Sequence, residues 1–202
     1  LDHEIGETMK TMTAISVRDQ NSYEIVEKIT GIKPEIHLDP VLIYGYVNEI
    51  ARRKVFYPKK YMVIYSYQGR IDDKKEIKEI VALAKSKKLE LISIFCRYDW
   101  CDKAMIPDTP FDVLAWFKGA ECIVTDTFHG TIFSVITHRP FCTLIRNSNQ
   151  NKLSYLLDVL GLRERGTSNL SSIMDLPIDY KSVEDILTQN RERTYEYLKN
   201  MI

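Results

Sequence analysis

The sequence predicts an α/β fold in which a parallel sheet carries helices on both faces. Short apolar runs rich in β-branched residues alternate along the chain with amphipathic stretches of helical length, as in repeated β-α units. The composition agrees with a globular protein, because 45% of the 202 residues are hydrophobic and 28% are charged. Such a chain can bury a core, and a disordered or collagen-like protein is excluded.

The first β-α unit of the pattern lies near the start of the chain. A strand is predicted over residues 14–17, followed by a helix over 22–30 whose apolar residues recur at helical spacing. Asn21 or Ser22 is the expected N-cap of this helix. A second strand over 35–38 ends before a proline, which cannot donate to a sheet ladder.

A domain boundary is expected near residue 55. Periodicity is weak over residues 41–58, and a new β-α rhythm begins after them. Residues 1–55 and residues 56–202 would therefore belong to different domains. The chain opens with Leu1 rather than Met, so we expect it to be part of a longer protein.

The second predicted domain contains four strands and five helices. The strands are expected over 62–65, 90–95, 122–125 and 141–144. The helices are expected over 74–86, 111–118, 128–137, 153–160 and 183–201. An irregular loop through Pro107 and Pro110 joins the second of these strands to the next helix. The last helix is long and polar, and in two-domain α/β proteins such a helix often crosses back to the first domain.

Charge and cysteine usage limit the environment and the partners of the protein. Lys+Arg and Asp+Glu number 28 each, so binding to nucleic acid or to an anionic membrane through bulk charge is not expected. A local anion site stays open. The four cysteines show no paired C-x-x-C spacing, which favours a reducing cytoplasm. No apolar stretch reaches the roughly 20 residues that span a bilayer, and no secretory leader is visible.

Residues 123–133 carry the strongest signal for chemistry, because an apolar strand passes through a polar cluster into an apolar helix. Ligands bind at the carboxyl ends of strands in open α/β sheets. Thr127 can cap the helix, which would leave backbone amides from Phe128 to Gly130 free to bind an anion. Gly130 would allow a ligand or a neighbouring backbone to approach closely. The positive end of the helix dipole would favour neutral His129, the form that acts as a base.

These residues also have structural interpretations, which the residues alone leave open. A single histidine at the start of a helix is more often structural than catalytic, and Asp126 could orient the imidazole or simply cap the turn. Arg18 could be an arginine that pairs with Asp19 or Asp39. No cluster of His, Cys, Asp and Glu has the spacing of metal ligands, and no glycine-rich phosphate loop occurs.

The ordered motifs of the chain resemble those of a known family. Residues 125–134 read Thr-Asp-Thr-Phe-His-Gly-Thr-Ile-Phe-Ser and are followed by Arg-Pro-Phe at 139–141. They resemble the T-D-S-F-H-G-x-x-F-S…P-F signature of the polysaccharide pyruvyl transferase family. Ser-Val-Arg-Asp at 16–19 and Asp39-Pro40 resemble its S-V-R-[DE]…D-P segment. Residues 151–163 resemble its N-R-[IL]-x-x-L-L-x-x-L-G-L segment.

The resemblance implies a GT-B-like architecture, in which two Rossmann-like domains face a cleft. Residues 1–55 would be the end of the first of these domains, and residues 56–202 would be the second. It also implies transfer of a pyruvyl group from phosphoenolpyruvate to hydroxyls of a sugar, as a ketal, in a cell-surface polysaccharide or its precursor. No cofactor or metal is implied. The partners would be phosphoenolpyruvate and a sugar or lipid-linked oligosaccharide acceptor, which is compatible with peripheral membrane association of a cytoplasmic protein.

The resemblance also assigns roles to residues. His129 would be catalytic and would face Arg18 across the cleft, with Asp126 in a supporting role. The substrate-binding residues would be Arg18, Thr127, Phe128, Gly130 and Lys152. Two of them depart from the family pattern: Thr127 replaces the usual Ser but keeps a hydroxyl, and Lys152 replaces Arg, so a point charge replaces a bidentate fork.

Two alternative functions stay open. A GT-B glycosyltransferase that uses a nucleotide sugar would need the same fold and the same anion-binding helix start. The family's amino-terminal half, with its opening motif, has no counterpart in this chain, so a non-catalytic remnant that binds a glycan or a partner is the second alternative.

Overall fold

The computed structural model describes residues 2–167 and 169–201, which form ten α-helices and seven strands. The strands are β1 Ser16–Val17, β2 Glu35–Ile36, β3 Tyr61–Tyr65, β4 Glu90–Ile94, β5 Lys103–Met105, β6 Cys122–Thr125 and β7 Phe141–Thr143. The helices are α1 Asp2–Lys10, α2 Gln20–Thr30, α3 Pro40–Tyr44, α4 Val47–Arg52, α5 Lys74–Ser86, α6 Pro110–Gly119, α7 Phe128–Ile136, α8 Gln150–Val159, α9 Leu170–Asp175 and α10 Tyr180–Lys199.

The main sheet has five parallel strands in the order β5-β4-β3-β6-β7. Its register places Ile92, Val63, Ile123 and Phe141 in one row across four strands. Parallel neighbours require crossover connections, and the helices between the strands provide them. From β3 the chain adds β4 and β5 on one side, and it then adds β6 and β7 on the other side. The topological switch point of the sheet therefore lies between the carboxyl ends of β3 and β6.

Both faces of this sheet are covered, which explains why its strands are apolar throughout. Along β3, Tyr61 and Val63 pack into one apolar cluster with residues of α6, α7, α8 and α10. The alternate side chains of Met62 and Ile64 pack into a second cluster with residues of α5 and α9. A strand buried on both faces reads as a continuous apolar run. The predicted fold class, a parallel sheet with helices on both faces, is confirmed.

The first β-α unit forms a separate two-stranded parallel sheet of β1 and β2. The N-cap of α2 is Asp19, whose carboxylate accepts from the backbone amide of Ser22 at 2.8 Å. The predicted N-caps, Asn21 and Ser22, are therefore wrong by two or three residues, because Asp19 provides the acceptor before the first helical turn. Gly31 ends α2 with φ of 72°, a left-handed conformation that glycine adopts without strain.

The C-terminal helix α10 packs against residues that follow β2. The side chain of Thr194 lies 3.0 Å from Nδ1 of the buried His37. Arg191 donates to the backbone carbonyls of Ile43 and Leu42 at 3.1 and 3.3 Å. Leu42 and Ile43 also belong to the apolar cluster of the main sheet. The domain boundary near residue 55 stays a prediction. Helix α10 contacts residues on both sides of it.

Several elements were not predicted because they are too short to show a period. Residues 103–105 were placed in a loop but form the edge strand β5, in which Lys103 and Ala104 are exposed. The weakly periodic stretch after Pro40 folds into α3 and α4, of five and six residues. Helices α1 and α9 also lie outside the predicted elements.

The cysteines are reduced, and two of them pack as small apolar residues. Cys122 and Cys142 are buried, and this burial raises the pKa of each thiol to about 12. In the described part of the chain, no helix combines the length and the hydropathy that crossing a bilayer requires.

Candidate functional site

A cleft of about 210 Å³ opens at the carboxyl ends of β3 and β6, between the main sheet and the first β-α unit. Six of the seven residues that the sequence nominated line it: Arg18, Asp126, Thr127, Phe128, His129 and Lys152. Asp19, Tyr67, Arg70 and Asn149, which were not among the nominated site residues, line it too. The fold therefore brings residues that are distant in the chain to one place.

The start of α7 forms one wall of the cleft. Thr127 is its N-cap, as predicted, and the Thr127 hydroxyl accepts from the amide of Gly130 at 2.9 Å. The amide of Gly130 is thus occupied, whereas within the described residues the amides of Phe128 and His129 donate to no protein acceptor. Two backbone donors at a helix start, with the positive end of the helix dipole behind them, favour an oxyanion.

Gly130 lies behind this wall and is buried. A Cβ at this position would stand 2.1 Å from Oγ1 of Thr125 and 2.7 Å from Oγ1 of Thr127. The close approach at Gly130 is made by two threonine hydroxyls, rather than by the ligand or neighbouring backbone that was expected from the sequence. Glycine here lets the threonines that shape the helix start pack against the backbone of α7.

His129 and Arg18 meet at a third residue, Asp39. The Arg18 guanidinium donates from Nη1 to Oδ2 of Asp39 at 2.6 Å, and Nε2 of His129 lies 3.9 Å from the same oxygen. Asp39 is buried, whereas the side chains of Arg18 and His129 are 54% and 49% exposed. Both functional groups can therefore reach a ligand in the cleft while they share one carboxylate.

Two cationic side chains lie near the Phe128 ring. The Arg18 guanidinium carbon is 5.5 Å from the ring centroid, and the Lys152 ammonium is 6.0 Å from it. A ring face attracts cations at such distances, so Phe128 keeps both cationic side chains at the rim of the cleft.

Asp126 is fully buried, and its carboxylate contacts two residues that follow β3 in the chain. Its Oδ1 accepts from the Ser66 hydroxyl at 2.6 Å. Its Oδ2 lies 3.0 Å from Nε of Arg70, close enough for an ion pair but without the alignment of a hydrogen bond. The two expected roles of Asp126, orienting the imidazole or capping the turn, are not what the structure shows, because Thr127 is the cap and the carboxylate holds Ser66 and Arg70.

Carboxylates balance the guanidinium groups of the cleft. Asp39 pairs with Arg18 and Asp126 with Arg70. Behind Asp126, Arg146 forms a bidentate pair with Glu76 at 2.9 and 2.5 Å. Among the cleft residues that the structure describes, Lys152 is a cation that no carboxylate pairs. Its charge is therefore fully available to an anionic ligand.

The other residues of the site carried weak signals. Asp39 belongs to the Asp-Pro pair that follows β2, and its Oδ1 accepts from the amide of Val41 at the start of α3. Its pairing with Arg18 is one of the two that the sequence left open, whereas its contact with His129 was not expected. Arg70 and Tyr67 follow β3 at its carboxyl end, the edge where ligands bind in such sheets. No group of three or more His, Cys, Asp or Glu side chains that could hold a metal ion occurs among residues 2–167 and 169–201.

Solved structures with a similar fold include "LpCGTa in complex with UDP", with a TM-score of 0.50 and 11% identity over 98% of this chain and 57% of that one. The "Glycotransferase of kitacinnamycin" (TM-score 0.47, 13% identity, 74% and 46%) and the "Wall Teichoic Acid Polymerase TagF" (0.46, 14%, 98% and 60%) are further examples. The chain thus spans 46 to 60% of the length of these proteins. The fold is of the GT-B class.

The family of the chain follows from a match to its sequence. A family model described as "Polysaccharide pyruvyl transferase" matches residues 4–149, more than half of the chain. The chain therefore belongs to the polysaccharide pyruvyl transferase family. The match contains Arg18, Asp39 and His129 and ends before Lys152. No curated protein matches the sequence significantly.

Proposed function

We propose that this chain provides the donor site of an enzyme that transfers a pyruvyl group from phosphoenolpyruvate to two hydroxyls of a sugar, forming a ketal. One observation carries the proposal: a single cleft brings together Arg18, Lys152, His129 and two unoccupied backbone amides at the start of α7. The sugar would belong to a cell-surface polysaccharide or its precursor, in keeping with the family.

The cleft suits a donor with two oxyanions. Phosphoenolpyruvate carries a phosphate and a carboxylate, and guanidinium, ammonium and amide donors bind such groups through charge-assisted hydrogen bonds. Arg18 and Lys152 lie on the same Phe128 ring. The amides of Phe128 and His129 start the helix beside them. One oxyanion can occupy the helix start while the other lies between the two cations.

The reaction requires two proton transfers and no change of redox state. In the first stage a sugar hydroxyl adds to C2 of the enol, its proton leaves, and C3 gains a proton to become a methyl group. In the second stage another hydroxyl attacks C2, the bond to the phosphate oxygen breaks, and that hydroxyl's proton ends on the departing phosphate. In this proposal His129 accepts and returns these protons, because it is the imidazole that lines the cleft.

This chemistry uses no cofactor beyond the donor itself. The acceptor in this proposal is a sugar or a lipid-linked oligosaccharide, and the reaction takes place in the cytoplasm, where phosphoenolpyruvate is available as a metabolite. A lipid-linked acceptor would bring the protein to a membrane surface without a spanning helix.

A nucleotide-sugar glycosyltransferase is the competing function. The helix start with two unoccupied amides could bind a diphosphate, and LpCGTa, which shares the fold, was solved with UDP. The contacts of Arg18 and His129 with the same residue, Asp39, favour pyruvyl transfer. They place a guanidinium that can bind an oxyanion beside an imidazole that can transfer a proton.

Calorimetry with the full-length protein that carries this chain tests the proposal. Phosphoenolpyruvate should bind saturably, Arg18→Ala should weaken it about 10-fold or more, and His129→Ala should largely spare binding but abolish turnover. Arg163→Ala is the matched control, because Arg163 is exposed and pairs with Asp158 outside the cleft. Binding of UDP or GDP without any binding of phosphoenolpyruvate would overturn the proposal in favour of a glycosyltransferase, and no ligand binding would favour a non-catalytic remnant.

A further inference from the structure

The two carboxylate oxygens of Asp39 have different contacts. Oδ1 accepts from the backbone amide of Val41 at 2.9 Å and so caps α3. Oδ2 accepts from Arg18 at 2.6 Å and lies 3.9 Å from Nε2 of His129. The carboxylate is buried, with 3% of its side chain exposed, so its charge acts on these neighbours with little screening by water. One buried oxygen thus faces both functional groups of the cleft.

For donor binding alone, this arrangement is unfavourable. An oxyanion that approaches Arg18 must compete with Asp39 for the guanidinium, and the two negative charges repel each other. If Arg18 had only to bind the donor, an uncharged partner would serve better. The buried carboxylate therefore requires a second reason, and the imidazole at 3.9 Å supplies one.

We propose that Asp39 is a positioning residue that passes its charge from Arg18 to His129 when the donor binds. This inference rests on the proposed function. The donor oxyanion draws Arg18 away from Oδ2, and Oδ2 then holds the Nε2–H of His129. The Nδ1 atom is left as the acceptor for the hydroxyl proton, and the resulting imidazolium is stabilised by the adjacent carboxylate. Asp39 itself exchanges no proton: the hydroxyl proton moves to Nδ1 and leaves from Nδ1.

The chain offers a clean variant and a matched control. In Asp39→Asn the amide oxygen can still cap α3, because Asn is as good an N-cap as Asp, while the charge toward Arg18 and His129 is removed. Asp179 is a second N-cap carboxylate, exposed at the start of α10 and outside the cleft, where it accepts from the backbone amides of Lys181 and Ser182. Asp179→Asn therefore makes the same chemical change at an N-cap without touching the proposed coupling.

The expected effects of Asp39→Asn on binding and on turnover have opposite signs. Phosphoenolpyruvate should bind about 3- to 10-fold more tightly, because Arg18 loses its competitor. Turnover should fall about 10- to 100-fold, as on loss of a carboxylate that orients a histidine. Asp179→Asn should change turnover less than about twofold, since exposed surface charges far from a site contribute little. A residue with a purely structural role would weaken binding and turnover together.

Calorimetry and steady-state kinetics on wild type and both variants test this, with inorganic phosphate as a second probe. If wild type fails to bind phosphoenolpyruvate, the proposed function fails, but tighter phosphate binding by Asp39→Asn than by Asp179→Asn would still support the competition at Arg18. Equal phosphate affinity of the two variants, or no phosphate binding by any form, overturns the competition. Equal turnover of the two variants overturns the coupling to His129.

Discussion

Gly130 lies so close to Thr125 that a Cβ added to the glycine would stand 2.1 Å from Oγ1 of the threonine. That hydroxyl donates to the carbonyl of Tyr65 at 2.6 Å and accepts from the amide of Thr127, so it joins β3 and β6 to the start of α7. We predict that Gly130→Ala lowers the free energy of unfolding by about 1 to 3 kcal/mol, as overpacking in a close-packed interior does. Urea denaturation measures this loss.

The double variant Thr125→Ala with Gly130→Ala is the control for this prediction. Thr125→Ala alone should also destabilise the protein, because it leaves the carbonyl of Tyr65 without its partner. If the clash is the cause, the two losses should sum to more than the loss in the double variant. Additive losses would show that the alanine at 130 acts in another way.

A second prediction concerns the buried negative charge of Asp126, which follows β6 at its carboxyl end. Asp126→Asn keeps an oxygen for the Ser66 hydroxyl but removes the negative charge beside Arg70 and Arg146. We expect a loss of about 1 to 3 kcal/mol in the free energy of unfolding, reduced from the usual cost of breaking a buried pair because Arg70 is 31% exposed.

Ser66→Ala is the matched control for this variant, because it removes the hydrogen bond to Asp126 and keeps the charge. High salt should partly restore Asp126→Asn, since it screens the uncompensated guanidinium groups, and should leave Ser66→Ala unchanged. An Asp126→Asn protein as stable as wild type in urea would contradict the importance of this charge.

Lys152 gives a third prediction, which depends on the proposed donor. It is exposed and lies over Phe128 without a carboxylate partner among the described residues. Lys152→Gln should weaken the binding of phosphoenolpyruvate about 3- to 10-fold, whereas Lys152→Arg should retain it within about threefold, because the guanidinium fork also binds oxyanions. Lys181→Gln, on α10 and paired with Asp185, is the control. Equal affinities of Lys152→Gln and Lys181→Gln would remove Lys152 from the site.

The sequence was sufficient where periodicity or capping chemistry is strong. Residues 74–86 and 122–125 were predicted with the bounds that the structure shows, because an amphipathic helix and a fully apolar strand have clear patterns. Thr127 was correctly placed as the cap of α7. The edge strand β5 was missed because its three residues are too few to show a period.

The contacts of the site were less accessible to sequence reasoning. Arg18 and His129 were nominated by motif, but Asp39, which joins them, also has a local reason to exist as the cap of α3. Arg70 follows β3 and reaches Asp126 after β6 only because these strands are neighbours in the sheet. Pairings between side chains distant in the chain depend on strand order, which a single sequence does not state.

The buried His37 gives a last prediction, on stability against pH. Burial lowers the pKa of this histidine, and Arg193 adds to the effect, while Glu35 opposes it. Below the ordinary value near 6.5, the unfolded chain takes up a proton that the folded chain resists. The stability that neutral His37 contributes is therefore present above that pH and is lost as the pH falls through the lower folded value.

We expect the free energy of unfolding in urea to decrease from pH 7.5 to pH 5.5, and His37→Gln to show a smaller decrease than wild type. The amide of Gln can still bond to Thr194, so the contact with α10 persists without a titrating group. Identical slopes for wild type and His37→Gln would show that protonation of His37 does not loosen α10.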